Sequence, residues 1–294
     1  MRKPLYPIYV ISKGRYADCL TAKFLVRDGI DFHLDVEPQE ADEYIKRFGK
    51  ERVLILPFSN LGLGSIPARN WVWEHSKSLG FKRHWILDDN IRYMKRWYKG
   101  RRILCSSQYA FVVSEDFVER YTNIAIAGLN YEMFGIKFVA PFTLNAHVYS
   151  CLLILNDLPY RWRGRYNEDT DLCLQVLSGN WCTVLFNIFL ISKMRTMTMK
   201  GGNSAELYKG DGRLVMAHSL EVAWPGVVET KRRFQRPQHV IKNAWRHFDT
   251  QLIRRTDIDW EKIGKTNEYG MKLVKKQEIK SKSVNKLYND FNGT

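Results

Sequence analysis

Cysteine is scarce in this chain and shows no pairing. Its five residues, Cys19, Cys105, Cys151, Cys173 and Cys182, are odd in number and contain no CxxC. That argues against a zinc module and a secreted disulfide framework, and fits reduced, mostly buried thiols. Long hydrophobic runs are missing as well. The longest, such as Val184 to Ile191, is broken by Asn187 and is far too short to cross a bilayer. No apolar leader opens the sequence, and no internal repeat or low-complexity block is visible. The expectation is a cytoplasmic protein with no membrane partner. Acidic residues are outnumbered: 31 Asp+Glu against 46 Lys+Arg leave a net charge of +15. A chain this basic usually meets a polyanion, nucleic acid or an acidic membrane surface, unless the charge is simply a solvated face.

What is present is an alternation of strand-like and helix-like segments. Ile8 to Ile11, Phe32 to Val36, Val53 to Leu56 and Trp85 to Leu87 read as buried strands. Between them Ala17 to Asp28, Glu40 to Phe48 and Ile66 to Leu79 read as helices, stopped by Gly29, Gly49 and Gly80. This spacing predicts an α/β fold with a mostly parallel, doubly wound sheet. The second half is less regular. Phe111 to Val113, Lys137 to Val139, Val148 to Leu155 and Cys182 to Leu190 look like strands, with helices near Asp116 to Ala127 and Thr170 to Leu177. The 294 residues suffice for one sizeable core with an appendage, divided as a domain over 1–255 and a basic tail over 256–294.

Ligands of such sheets bind beyond the carboxyl ends of the strands. There the chain places Ser12-Lys13-Gly14-Arg15, Glu37 and Asp88-Asp89-Asn90, with Arg69-Asn70 at the start of the preceding helix. Paired carboxylates at a strand end suit a divalent cation or a ribose, and an arginine at a helix start suits a diphosphate. The combination points to a nucleotide-sugar site, although Asp and Asn also favour plain strand-ending turns. A second acidic cluster, Asn167-Glu168-Asp169-Thr170-Asp171, opens a helix. It is either a helix cap or a source of general base. Cations interleaved with aromatics follow Asn90 (Arg96, Trp97, Tyr98, Arg101) and precede Asn167 (Trp162, Arg163, Arg165). Such stretches suit phosphates and unstacked bases, or else a solvated face over core aromatics.

The segments Pro7 to Arg15, Gly64 with Ala68-Arg69-Asn70, and Leu87 to Ile91 resemble the donor half of a GT-A glycosyltransferase, most nearly the phage TET-associated glycosyltransferases. The likeness continues through Gly201-Gly202-Asn203, Asp211-Gly212-Arg213 and Arg233 to His239. It implies transfer of a sugar, from a UDP-linked donor, to the hydroxymethyl group of a modified pyrimidine such as 5-hydroxymethylcytosine in DNA, in the host-cell cytoplasm if the protein is viral. It assigns Ser12 to Arg15, Glu37, Arg69, Asn70, Asp88, Asp89, Gly202 and Asn203 to the nucleotide sugar. A divalent metal, Mn²⁺ or Mg²⁺, would fall to Asp89, Asn90 and His239. The general base would be Asp169, with Glu168 and Asp171 beside it. The family's acidic triplet usually ends in Asp, and Asn90 adds no charge to a metal site. Two other readings use the same residues: a metal-dependent nuclease, and a DNA-binding module with a degenerate donor site.

Overall fold

The computed structural model describes residues 2–98, 100–135, 140–194, 201, 212–233 and 235–263. The chain divides into two compact units, Met1–Arg255 and Thr256–Thr294. Most of the second unit is outside the described residues, and so are Gly202, Asn203 and the segment Lys137 to Val139.

The first unit begins as the alternation dictates: β1 (Ile8–Ile11), α1 (Leu20–Arg27), β2 (His33–Val36), α2 (Ala41–Phe48), β3 (Val53–Ile55), α3 (Ile66–Ser78) and β4 (Arg83–Asp88). There follow β5 (Ile91–Tyr98), β6 (Arg101–Cys105), α4 (Ser107–Val118), β7 (Ile124–Tyr131), β8 (Phe142–Leu144) and β9 (Cys151–Leu155). Then come α5 (Glu168–Ser178), β10 (Cys182–Lys193), α6 (Gly212–Ala223), β11 (Val228–Arg233) and β12 (Arg236–Ile241). One sheet runs β3-β2-β1-β4-β9-β7-β10-β5-β6, with β8 on β10, and β11–β12 form a separate hairpin. Strands β1 to β4 are mutually parallel neighbours, and β10 is parallel to β7. Strand β9 runs against β4 and β7, and β5 runs against both β10 and β6. The expected α/β architecture with a mostly parallel sheet is therefore present, with reversed strands inserted in its second half.

Burial explains where these elements form. Strands β4, β7 and β9 are covered on both faces, so β7 and β9 read as largely apolar runs without alternation, and β4 buries Arg83 and His84 ahead of its apolar Trp85–Leu87. The core gathers Tyr9, Trp73, Ile86, Leu152, Trp162 and Val176 from both halves of the sheet. Each large side chain so buried contributes about 1.5–3 kcal/mol.

Two expected elements are corrected. Phe111 to Val113 is helical, in α4, and Asp116 to Ala127 is split between the end of α4 and the start of β7. In α4 the buried residues Ser107, Ala110, Phe111, Ser114, Glu115 and Val118 recur at three- and four-residue spacing. That helical face outweighs the strand preference of Val112 and Val113. The β5–β6 and β11–β12 hairpins were not foreseen, because charged and aromatic residues fill the positions where alternation would show.

Candidate functional site

Asp88 closes β4, and both of its carboxylate oxygens are engaged. Arg69 Nη2 donates to Oδ1 at 3.0 Å, and Lys193 Nζ donates to Oδ2 at 2.5 Å. Lys193 also reaches Ser150 Oγ at 2.7 Å and Tyr131 Oη at 3.2 Å. Beside it the β10–β5 pairing shifts register between Ser192 and Lys193, which leaves Arg92 as an extra residue on β5. Burial works against the charge on Asp88, but Lys193 and Arg69 outweigh it and hold the carboxyl well below the usual range.

Asp89 faces the loop after β1. Ser12 Oγ donates to its Oδ2 at 2.8 Å, and Arg15 Nη1 pairs with its Oδ1. Burial still leaves its pKa above the ordinary value. Tyr44 Oη, 2.7 Å from Ser12 Oγ, also accepts the Arg15 backbone N–H at 3.0 Å. Lys13 pairs with Glu37 at 3.0 Å, and Arg15 Nη2 donates to the Gly201 carbonyl at 3.0 Å. At Gly201 φ is +78°, and a Cβ would stand 2.4 Å from the Gly14 carbonyl oxygen. Only glycine lets these two backbone segments approach so closely.

The second acidic cluster meets the first through Arg69. Its guanidinium lies between Asp88, Asp169 (3.6 Å) and Glu168 (3.7 Å), and rests 4.5 Å from the centre of the Trp162 ring. Glu168 accepts from Ser65 Oγ at 3.1 Å. Among the described residues Asp169 Oδ2 accepts a single long bond, 3.3 Å, from the Ser150 backbone N–H, and Oδ1 is buried with no hydrogen-bond partner. Burial pushes the Asp169 pKa up to about 7, with Arg69 opposing. A carboxylate of that basicity at a strand-end cleft is suited to take a proton from a hydroxyl. Asp171 is not. Arg163 binds it through two nitrogens at 2.9 and 3.1 Å, and Trp224 Nε1 and Gln175 Nε2 each reach it at 2.7 Å. Its expected role as an alternative base is corrected to that of a buried anchor.

Three further residues depart from expectation. Asn70 grips the Trp162 backbone at both its carbonyl (2.8 Å) and its N–H (3.0 Å), so it braces the chain before α5 instead of meeting a diphosphate. Trp162 is 2% exposed and cannot stack on a displaced base. Arg163 is committed to Asp171. By contrast Arg96, Trp97, Tyr98 and Arg101 lie on the β5–β6 hairpin, where Tyr98 is 47% exposed. Arg165 is exposed beside Tyr166.

Mg²⁺ and Mn²⁺ need several free oxygen ligands. Both Asp88 oxygens carry cations, and Asp89 is closed by Arg15 and Ser12. Asn90 Oδ1 is buried without a partner, but it is a single neutral oxygen. His239 stands on β12 opposite Thr230, where burial lowers its pKa, and it is near enough to His147 to lower that group's pKa in turn. Among the described residues no cluster of three or more His, Cys, Asp or Glu could hold a metal ion. A divalent ion on Asp88 would stand roughly 4 Å from the Lys193 ammonium, a repulsion of about 8 kcal/mol at an effective dielectric of 20. The residues do not fit a resident divalent ion.

Lys193 is the participant that sequence reasoning missed. It is 105 positions from Asp88. The available signal was a lysine ending an otherwise buried strand, Cys182–Lys193.

Paired carboxylates, arginines and a near-neutral acid thus gather beyond the carboxyl ends of the strands of a mixed α/β sheet. The chain belongs to the TET-associated glycosyltransferase family, whose sequence profile matches residues 6–202. No curated protein matches it. Among solved structures, a candidate nucleotide-diphospho-sugar transferase from Desulfovibrio desulfuricans G20 is similar over 62% of this chain and 79% of that one, at 10% identity and a TM-score of 0.35. No described helix is long and apolar enough to cross a membrane.

Proposed function

We propose that this glycosyltransferase moves a sugar from a UDP-linked donor to the hydroxymethyl group of a 5-hydroxymethylpyrimidine in DNA. The observation that carries the reading is Asp169, with a pKa near 7 and held within reach of Arg69 and the Asp88 cluster. In the reaction the acceptor hydroxyl gives its proton to Asp169 as its oxygen bonds to the anomeric carbon. The bond from that carbon to the diphosphate oxygen breaks, and UDP leaves with the electron pair. Ser12 to Arg15 and Glu37 border the nucleoside, and Arg15 and Arg69 supply fixed positive charge for the diphosphate. Gly202 and Asn203 remain assigned to the donor by family resemblance.

The DNA acceptor is supported by the net charge of +15 and by the β5–β6 hairpin. There Arg96 packs against Tyr98 at 5.3 Å, and Arg102 lies over Trp97 at 5.3 Å. A two-stranded ribbon of this kind can enter a major groove, where the C5 substituent projects. Digestion of hydroxymethylated DNA to nucleosides, after incubation with the enzyme and a panel of UDP-sugars, tests the reading. A hexose mass increment on 5-hydroxymethyl-2′-deoxycytidine or 5-hydroxymethyl-2′-deoxyuridine is expected. Unchanged nucleosides with every donor would overturn it, and strand scission without any sugar requirement would favour the nuclease.

A further inference from the structure

We propose that Lys193 is the built-in cation of this site, holding toward Asp88 the position that a divalent metal ion would otherwise occupy. The inference rests on the reading of the β4 end as the donor site for its functional meaning, but its geometry is independent of the donor's identity.

Three oxygens surround the ammonium: Asp88 Oδ2 at 2.5 Å, Ser150 Oγ at 2.7 Å and Tyr131 Oη at 3.2 Å. They come from three separate parts of the fold, the ends of β4 and β7 and the residue before β9. An oxygen set that converges on one point is what a hard cation requires. Here a protein ammonium fills it, with each of its three N–H donors directed at one oxygen. The lysine side chain is only 14% exposed. The backbone is shaped to permit this. Ser150 has φ of +64°, a left-handed conformation uncommon for serine, which turns its backbone N–H toward Asp169 while its hydroxyl meets Lys193. Opposite Lys193 the register shift leaves Arg92 as an extra residue on the neighbouring strand β5. Arg69 occupies the other oxygen of Asp88, so the carboxylate is saturated with protein cations. Lys193 is thus a positioning residue that fixes Asp88 and Ser150, and through Ser150 reaches the base.

The decisive measurement is Mn²⁺ binding to the full-length protein by electron paramagnetic resonance, with Mn²⁺ as the probe and no nucleotide present. The wild type is expected to bind no stoichiometric Mn²⁺. Lys193→Ala, which frees Asp88 Oδ2, Ser150 Oγ and Tyr131 Oη, is expected to tighten Mn²⁺ binding on the order of tenfold or more. Lys193→Gln repeats the test with a side chain of similar length, should the alanine variant misfold. A stoichiometric Mn²⁺ site in the wild type that Asp88→Asn abolishes would overturn the proposal. So would the absence of any gain in correctly folded Lys193→Ala and Lys193→Gln. UDP titrated calorimetrically into the wild type gives a second arm: equal affinity in chelator and in Mn²⁺ supports the proposal, and strict dependence on Mn²⁺ overturns it. If UDP binds under neither condition, the donor reading fails, and the Mn²⁺ titration alone still decides the role of Lys193.

Discussion

The chain before α5 and the β5–β6 hairpin carry the same chemistry, arginines alternating with tryptophan and tyrosine, yet they are built for opposite purposes. Before α5, Trp162 is buried under Arg69, Arg161 pairs with Glu74 at 2.6 Å, and Arg163 grips Asp171. On the hairpin, Arg96 and Arg102 lie against aromatic rings, and the edge residue Leu104 is 67% exposed. The difference lies in the available carboxylates. Glu74 and Asp171 fix Arg161 and Arg163 in ion pairs, over the rings of Trp73 and Trp224, so that this set braces the chain before α5. On the hairpin Arg96 and Arg102 rest on aromatic faces, and Arg102 is exposed to phosphate.

The largest test of this division is Asp169→Asn, on the internal side. Turnover should fall by a factor on the order of 10²–10⁴, measured at saturating donor, because the amide keeps the shape and loses the basicity. For the wild type, kcat/KM should rise with pH through a midpoint near 7 as Asp169 ionises. Stability should move in the opposite direction. The folded pKa of Asp169 lies above its unfolded value, so its contribution is most favourable in acid and is lost as pH rises toward 7. The asparagine variant should therefore show a higher Tm than wild type at pH 8 in a thermal melt.

Trp162→Ala comes next. Removing a ring with 2% exposure should cost about 3–5 kcal/mol in denaturant unfolding. It should also release Arg69 and depress turnover, while the salt dependence of DNA binding stays as in wild type. Arg163→Ala should lower Tm by less, because its side chain is 55% exposed, and should likewise leave the salt slope alone. The smallest effect on folding, and the only one of this set on DNA binding, belongs to the hairpin. Arg96→Ala and Arg101→Ala should each reduce the slope of log K against log salt by about 1, with stability unchanged to within about 0.5 kcal/mol. If Arg163→Ala flattens the slope and the hairpin variants do not, the two regions have been assigned the wrong way round.

Much of this arrangement was legible in the sequence, and the failures have physical reasons. Strands β1 to β4 were readable because short apolar runs bounded by glycine and proline leave little choice of element. The Asp88 and Asp169 clusters were readable because carboxylates at strand and helix ends are chemically conspicuous. The direction of each carboxylate was not. Asp169 and Asp171 are two positions apart, yet one is left nearly unpartnered and the other holds four donor contacts. That outcome depends on Arg163 and Trp224, which reach Asp171 from before α5 and after α6. Asn70 misled for a similar reason, since its partner Trp162 lies 92 positions away. Lys193 had only the slight signal of a lysine ending a buried strand, because the contact that defines it closes only when β10 joins the sheet.

The irregular pairing of β10 with β7 has a consequence for insertions and deletions. Alternate residues of a strand face opposite sides, so gain or loss of one residue inverts the facing of everything beyond it. Strand β10 spans Cys182–Lys193, and its pairing with β7 shifts register between Phe186 and Leu190, where Asn187 to Phe189 are extra residues on β10. The residue count along β10 is thus set before the strand delivers the lysine to Asp88. A single-residue deletion in the middle of β10 would leave the composition of the strand nearly untouched and yet turn Lys193 away from the cleft. Length variation among natural relatives should accordingly fall in the hairpin tips and spare this strand, in which each residue is counted from the buried end.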